Sequence, residues 1–145
     1  MTRAVPLTRD DFRLFRAIPT RWMDVDIYGH VNNVEYLSYF DTAVNGWLIE
    51  EGVLDPRHSE TVFLVVETQC AYFAELTFPG TVTAGIRASR LGGSSVSYEI
   101  ALFADDSQVA SAQGRFVHVQ VDRFTRRPVP IEGKRRALLS TILQG

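Results

Sequence analysis

Within one sixteen-residue stretch, Arg21 to Tyr36, the chain places two carboxylates, Asp24 and Asp26, a glycine, Gly29, an imidazole, His30, and two amides, Asn32 and Asn33. A carboxylate can act as a base or nucleophile, and an imidazole can donate, accept or orient. Directly after these groups the pattern turns helical. Tyr36, Leu37, Phe40, Ala43, Val44, Trp47 and Leu48 recur at three- and four-residue steps and form one apolar stripe. The spacing predicts a helix over roughly residues 33–51, with Asn32 as N-cap, Glu35 as its capping-box partner and Gly52 as the stop. Its unpaired N–H groups and partial positive charge then face a segment carrying Asp26 and His30.

Other chemistries fit these residues poorly. Asp24, Asp26, Gly29 and Glu35 match four positions of a calcium-binding loop, but Tyr28 stands where an oxygen ligand is required. Proline and β-branched residues occupy the place of an entering helix. His30, His58 and His118 are far apart in sequence and lie in no zinc-type cluster, so no metal is expected. There is no Gly-x-Ser-x-Gly elbow for a serine nucleophile. The plain alternative is a solvated loop with one acid capping the helix.

The elements that must hold this stretch follow from the rest of the chain. With 145 residues, nearly half of them apolar, residues 1–145 are read as a single domain with a substantial core. The net charge of −2 gives no reason to expect nucleic-acid or membrane binding. The one cysteine, Cys70, excludes an internal disulfide and suits a reducing cytoplasm; its strand-like setting reads as a buried, inert thiol. Residues 1–16 lack the apolar run of a signal peptide, and no apolar stretch is long enough to span a bilayer. A cytoplasmic location is therefore expected.

Residues 1–11 form a polar lead-in left without assigned structure. Residues 12–23 read as a strand that Pro19 confines to an edge or a bulge. After the helix the period becomes two. Strands are expected over residues 62–76, 81–90, 94–104 and 108–121, joined by tight turns at Pro79-Gly80, Gly92-Gly93 and Asp105-Asp106. Gly114 marks a bulge or a close backbone approach. Residues 134–143 suit a short terminal helix. One long apolar helix and a series of antiparallel strands with one apolar face give an α+β domain, the helix lying along a curved sheet.

Asp26-x-x-Gly29-His30-Val31-Asn32-Asn33-x-x-Tyr36, ahead of a long helix and a strand series, resembles the hotdog-fold thioesterases, and most closely the 4-hydroxybenzoyl-CoA thioesterase-like acyl-CoA thioesterases. Val65-Val66-Glu67 and the run from Arg90 through Ser94 and Ser95 extend the likeness, which covers roughly residues 16–130. The resemblance implies a curved sheet of about five strands wrapped around one central helix. It implies a homodimer or homotetramer with the active site at the subunit interface, an acyl-CoA substrate and no cofactor. Asp26 matches the catalytic aspartate, activating water or attacking directly to give a mixed anhydride. The backbone N–H of Asn33, helped by Gly29 or His30, would hold the oxyanion. His30 has a second reading as a structural imidazole. Tyr28, Asn32, Tyr36, Glu67, Arg90, Ser94 and Ser95 are the substrate-binding candidates; Asn32 reads first as a cap, and Glu67 either faces the site from a partner subunit or is a strand-surface acid. Arg87, Arg115, Arg123, Arg126 and Arg127 are further basic groups for the coenzyme A phosphates, and Arg21 is a partner for a loop acid. Three rivals remain: an acyl-carrier-protein thioesterase, a hotdog dehydratase or hydratase, and a non-catalytic acyl-CoA-binding hotdog protein.

Overall fold

A computed structural model describes residues 4–144. Five strands form one antiparallel sheet: β1 (Leu14–Pro19), β2 (Thr61–Tyr72), β3 (Thr81–Leu91), β4 (Ser95–Phe103) and β5 (Ala112–Asp122), in the spatial order β1-β3-β4-β5-β2. Helix α1 (Asn33–Glu50) covers one face, and a short α2 (Gly133–Ser140) closes the far end. The expected α+β arrangement of a curved sheet and one long helix is therefore present.

The alternating residues of β3 and β4 supply the sheet side of the core: Val82, Ala84, Ile86 and Ala88 from one strand, Val96, Tyr98, Ile100 and Leu102 from the next. Against them α1 sets Tyr36, Tyr39, Phe40, Ala43, Val44, Trp47 and Leu48, all buried. Each large side chain buried this way contributes about 2 kcal/mol relative to exposure. Leu37, expected in the stripe, is turned outward, and Tyr39 takes the inner place because its hydroxyl donates to the buried carboxylate of Asp24.

The structure moves several boundaries, each for a local reason. The first strand ends at Pro19, not Met23, because Arg21 N–H donates back to the Asp24 carboxylate and Trp22–Asp24 becomes a 3-10 turn. Pro19 is indeed on an edge strand. The second strand ends at Tyr72 instead of Leu76: Phe73 and Ala74 both donate to the Ser111 carbonyl, and the chain leaves the sheet. Nor is its link to β3 a tight hairpin. β2 pairs with β5 at the opposite edge, so the following segment crosses from one side of the sheet to the other. The last strand starts at Ala112, not Gln108, since residues 108–110 pair with the lead-in; Arg9 N–H donates to Gln108 O, and Ala110 N–H donates to Leu7 O. The lead-in is thus structured from residue 4 onward, with a 3-10 turn at Arg9–Asp11; its first three residues lie outside the described ones.

At Gly114 the backbone of β5 runs close to Gln69 of β2 and to Phe40 of α1. A Cβ there would overlap the carbonyl oxygen of Gln69 and lie 2.9 Å from Cε2 of Phe40, so the close approach read from sequence is what the glycine permits. Cys70, opposite it in the ladder, is half-buried, and burial pushes its thiol up, in line with an inert thiol.

His118 sits in the same core, its ring stacked on Phe63 at 5.2 Å and 4.9 Å from Phe116. Among the described residues its Nδ1 has no hydrogen-bond partner. Burial disfavours the imidazolium and lowers its pKa from 6.5 to about 4. The unfolded chain therefore binds the extra proton first. The associated stability is whole above pH 6.5, drains away as pH falls, and is gone below about 4. The amount is about 3 kcal/mol. Thermal unfolding of the wild type should lose stability over this window, and His118→Phe should flatten the profile; parallel profiles would show that the ring is protonated in the fold.

Candidate active site

The stretch from Arg21 to Tyr36 folds into a hooked loop that leads into α1. Its anchor is Asp24, wholly buried. The carboxylate accepts from Arg21 N–H at 2.8 Å, from the Arg21 guanidinium at 2.9 and 3.1 Å, and from the Tyr39 hydroxyl at 2.8 Å. Burial by itself would push this carboxyl up, but the donors from Arg21 and Tyr39 outweigh it and hold it below the usual carboxylate range. Burial and the bond to Asp24 in turn push the Tyr39 phenol up. Asp24 is therefore structural, and Arg21 is its partner, as the sequence suggested. Its carbonyl also accepts from Asn32 N–H at 2.8 Å, which fixes where the helix begins.

Asn32 is the N-cap: its side chain accepts from Val34 N–H at 3.1 Å. Glu35 does not complete a capping box; its carboxylate turns toward Arg21, 3.7 Å away. Among the described residues Asn33 N–H, at the first helical position, has no hydrogen-bond acceptor. Such an unpaired donor at the positive end of a helix is suited to an anionic oxygen.

Asp26 lies at the turn of the hook and is half-buried. Its N–H donates to His30 O, its carbonyl accepts from Gly29 N–H, and its Oδ1 accepts from Tyr28 N–H at 2.9 Å. Gly29 has φ +82°, a left-handed conformation in which a side chain is strained, and this lets the loop double back within five residues. One carboxylate oxygen is thus held, and among the described residues the other has no hydrogen-bond partner. His30 carries a partner absent from the sequence reading: its Nε2 lies 2.9 Å from Glu75 Oε2.

Asp26, Tyr28, His30, Asn33 and Tyr36 line one cleft of about 450 Å³ with Val31, Tyr72, Phe73, Ala74 and Glu75. The tyrosines form its wall. Tyr36 and Tyr72 meet edge to face at 5.0 Å, the Tyr36 hydroxyl accepts from Leu76 N–H, and the Tyr72 hydroxyl donates to Asn33 O at 3.2 Å. Burial is the main reason the Tyr72 phenol is pushed up to about 12, so it stays a neutral donor. The residues from Tyr72 to Glu75 were not anticipated as part of the site. Their only sequence signal is the end of the second strand.

Not all candidates gather here. Glu67 is on the edge strand five residues before Tyr72, with Arg115 Nε 3.4 Å away. Ser95 pairs with Val119, and Val119 with Leu64; this is roughly 25 Å along the strands from Tyr72. Arg90 and Ser94 flank the same hairpin. Within one chain these four residues are not at the cleft. Among the described residues no group of three or more His, Cys, Asp or Glu side chains is placed to hold a metal ion, and no helix is long and apolar enough to cross a membrane.

A single helix lying along a five-stranded antiparallel sheet, with the loop before the helix forming a cleft, is the hotdog fold. A sequence profile of the thioesterase-like superfamily matches residues 20–139. The chain belongs to that superfamily and is a thioester hydrolase. Among solved structures it is 48% identical to the PA5185 protein of Pseudomonas aeruginosa strain PAO1, covering 97% of this chain and 99% of that one with a TM-score of 0.94. It is 31% identical to PA2801 of the same organism, provisionally assigned as a thioesterase, covering 86% and 96% with a TM-score of 0.81. Slr0204 of Synechocystis, a 1,4-dihydroxy-2-naphthoyl-CoA thioesterase, shares the fold at 14% identity and a TM-score of 0.78, covering 87% and 94%. No curated protein matches the chain by sequence.

Proposed function

We propose that the protein hydrolyses acyl-CoA thioesters to a carboxylic acid and free coenzyme A, with Asp26 as the attacking group. One observation carries this reading: the half-buried Asp26 carboxylate, fixed through Oδ1 by Tyr28 N–H, lines the same cleft as the unpaired N–H of Asn33. The free oxygen attacks the thioester carbon. As the carbonyl oxygen gains charge, Asn33 N–H at the start of α1 receives it; one such donor is worth about 3 kcal/mol in the transition state. The C–S bond breaks, sulfur leaves as a thiolate with the electron pair, and water opens the resulting mixed anhydride to release the acid and restore Asp26. Tyr28, Tyr36, Tyr72 and Phe73 supply an aromatic wall for the acyl group, with room for a group of modest size.

A second copy completes the site. β2 ends the sheet, and Leu64, Val65, Val66 and Tyr72 are exposed along its unpaired edge. Antiparallel pairing of this edge with its equivalent about a two-fold axis sets the Tyr72 end of one chain beside the Thr61 end of the other. Glu67, Arg90, Ser94 and Ser95 of the second copy then approach the cleft, where the arginine suits the phosphates of coenzyme A. The protein is thus at least a homodimer, and a homotetramer is compatible with the same edge pairing.

The test is thiol release from short-, medium- and long-chain and aromatic acyl-CoAs, followed colorimetrically. Turnover of at least one member is the expected result. Binding without thiol release from any of them would favour a non-catalytic acyl-CoA binder, and turnover only of acyl-carrier-protein thioesters would reassign the carrier.

A further inference from the structure

His30 and Glu75 come from different elements, the loop before α1 and the segment after β2, yet their side chains meet at 2.9 Å through Nε2 and Oε2, and both line the cleft. Backbone bonds fix the two ends of this contact. Asp26 N–H donates to His30 O, and Val31 N–H donates to Leu76 O, so the residue after His30 is tied to the residue after Glu75. Among the described residues Nδ1 of His30 has no partner.

We propose that Glu75 is a positioning residue for a second catalytic group, His30, and that the pair serves the water that opens the acyl-Asp26 anhydride. This rests on the thioesterase reading given above. A carboxylate accepting from Nε2–H fixes the tautomer in which Nδ1 carries the lone pair, and it stabilises the imidazolium formed when Nδ1 takes a proton. In this step the water oxygen bonds to the acyl carbon, its proton passes to Nδ1, and the bond from that carbon to the Asp26 oxygen breaks, restoring the carboxylate. His30 then returns its proton to the coenzyme A thiolate and becomes neutral again; the acid product loses its own proton to solvent. The division of labour is physically reasonable: Asp26, bound to the acyl group at this stage, is no longer available as a base. The charged or titratable groups around His30 are Glu75 at 2.9 Å and, across the cleft, Asp26, Tyr28, Tyr36 and Tyr72.

Glu75→Gln keeps an oxygen acceptor for Nε2–H but removes the charge, whereas Glu75→Ala removes both. In the active enzyme Glu75→Gln should lower kcat and leave kcat/KM unchanged, because kcat/KM ends at thiolate release, before His30 acts. In Glu75→Ala kcat should fall on the order of tenfold or more, with KM falling alongside it. The double variant Glu75→Ala/His30→Asn should be no slower than His30→Asn alone. A purely structural Glu75 would lower stability without this fall of kcat at constant kcat/KM. Nitrogen-15 NMR of histidine-labelled protein reads the same proposal without substrate, with His30→Asn used for assignment. The expected result is an Nε2–H tautomer for His30 that Glu75→Gln keeps and Glu75→Ala loses. An Nδ1–H tautomer in the wild type, or wild-type kcat in both Glu75 variants, would overturn the proposal. The thioesterase reading fails separately, through absent thiol release, and the role of Asp26 through an active Asp26→Asn.

Discussion

Asp26→Asn lowers kcat for acyl-CoA hydrolysis by about a hundredfold or more, with KM and thermal stability close to wild type. The substitution is a narrow one. Asparagine keeps an Oδ1 that accepts from Tyr28 N–H, the bond that shapes the turn, and the neighbouring loop bonds are all backbone to backbone. What is removed is the charge and nucleophilicity of the free oxygen. A hundredfold loss corresponds to about 2.7 kcal/mol of transition-state stabilisation. Steady-state kinetics on the best substrate of the acyl-CoA panel, with a parallel urea titration, makes the measurement. Activity within threefold of wild type would move the chemistry away from Asp26, to the His30–Glu75 pair in the cleft.

Gly114→Ala destabilises the fold by about 3 kcal/mol or more. The added methyl would occupy the position of the Gln69 carbonyl oxygen on one side and press on Phe40 on the other. Neither neighbour can yield cheaply. Gln69 belongs to the ladder between β2 and β5, and Phe40 is wholly buried at the centre of the apolar face of α1. Relief requires β2 and β5 to part or the helix to lift, and either movement disturbs the floor of the cleft formed by Tyr72 and Phe73. Urea denaturation followed by far-ultraviolet circular dichroism gives the loss directly. A change within about 0.5 kcal/mol would mean that the sheet relaxes at this point without cost.

The site was legible where its parts are close in sequence. Asp26, Gly29, His30, Asn32 and Asn33 lie within eight residues, and their local geometry follows from a turn that needs glycine and a helix that needs an N-cap. The helix was legible because three- and four-residue spacing of large apolar side chains has few other solutions. Even so, Leu37 and Tyr39 exchanged roles. Periodicity treats both as apolar, but only Tyr39 carries a hydroxyl that can satisfy a buried carboxylate fifteen residues earlier. Glu35 likewise left its expected cap because Arg21, brought close by the 3-10 turn, offers a charge to pair with.

What the sequence alone determined is the local chemistry and the set of elements: a loop that bends at Gly29, an apolar helix capped by Asn32, and strands of period two bounded by turn residues. These depend on interactions a few residues apart, which spacing records directly. What only the tertiary structure decided is which distant elements meet. β2 crosses to pair with β5, and by doing so carries Tyr72, Phe73 and Glu75 to the mouth of the loop, where Glu75 finds His30. That pairing is set by the summed packing of Phe63 and Cys70 from β2 with Ala112 and Phe116 from β5 on the core, and by ladder bonds between residues some fifty positions apart, as Glu67 and Val117 are. No short-range pattern encodes such a sum, so the loop that does the chemistry could be read from the chain and the wall that faces it could not.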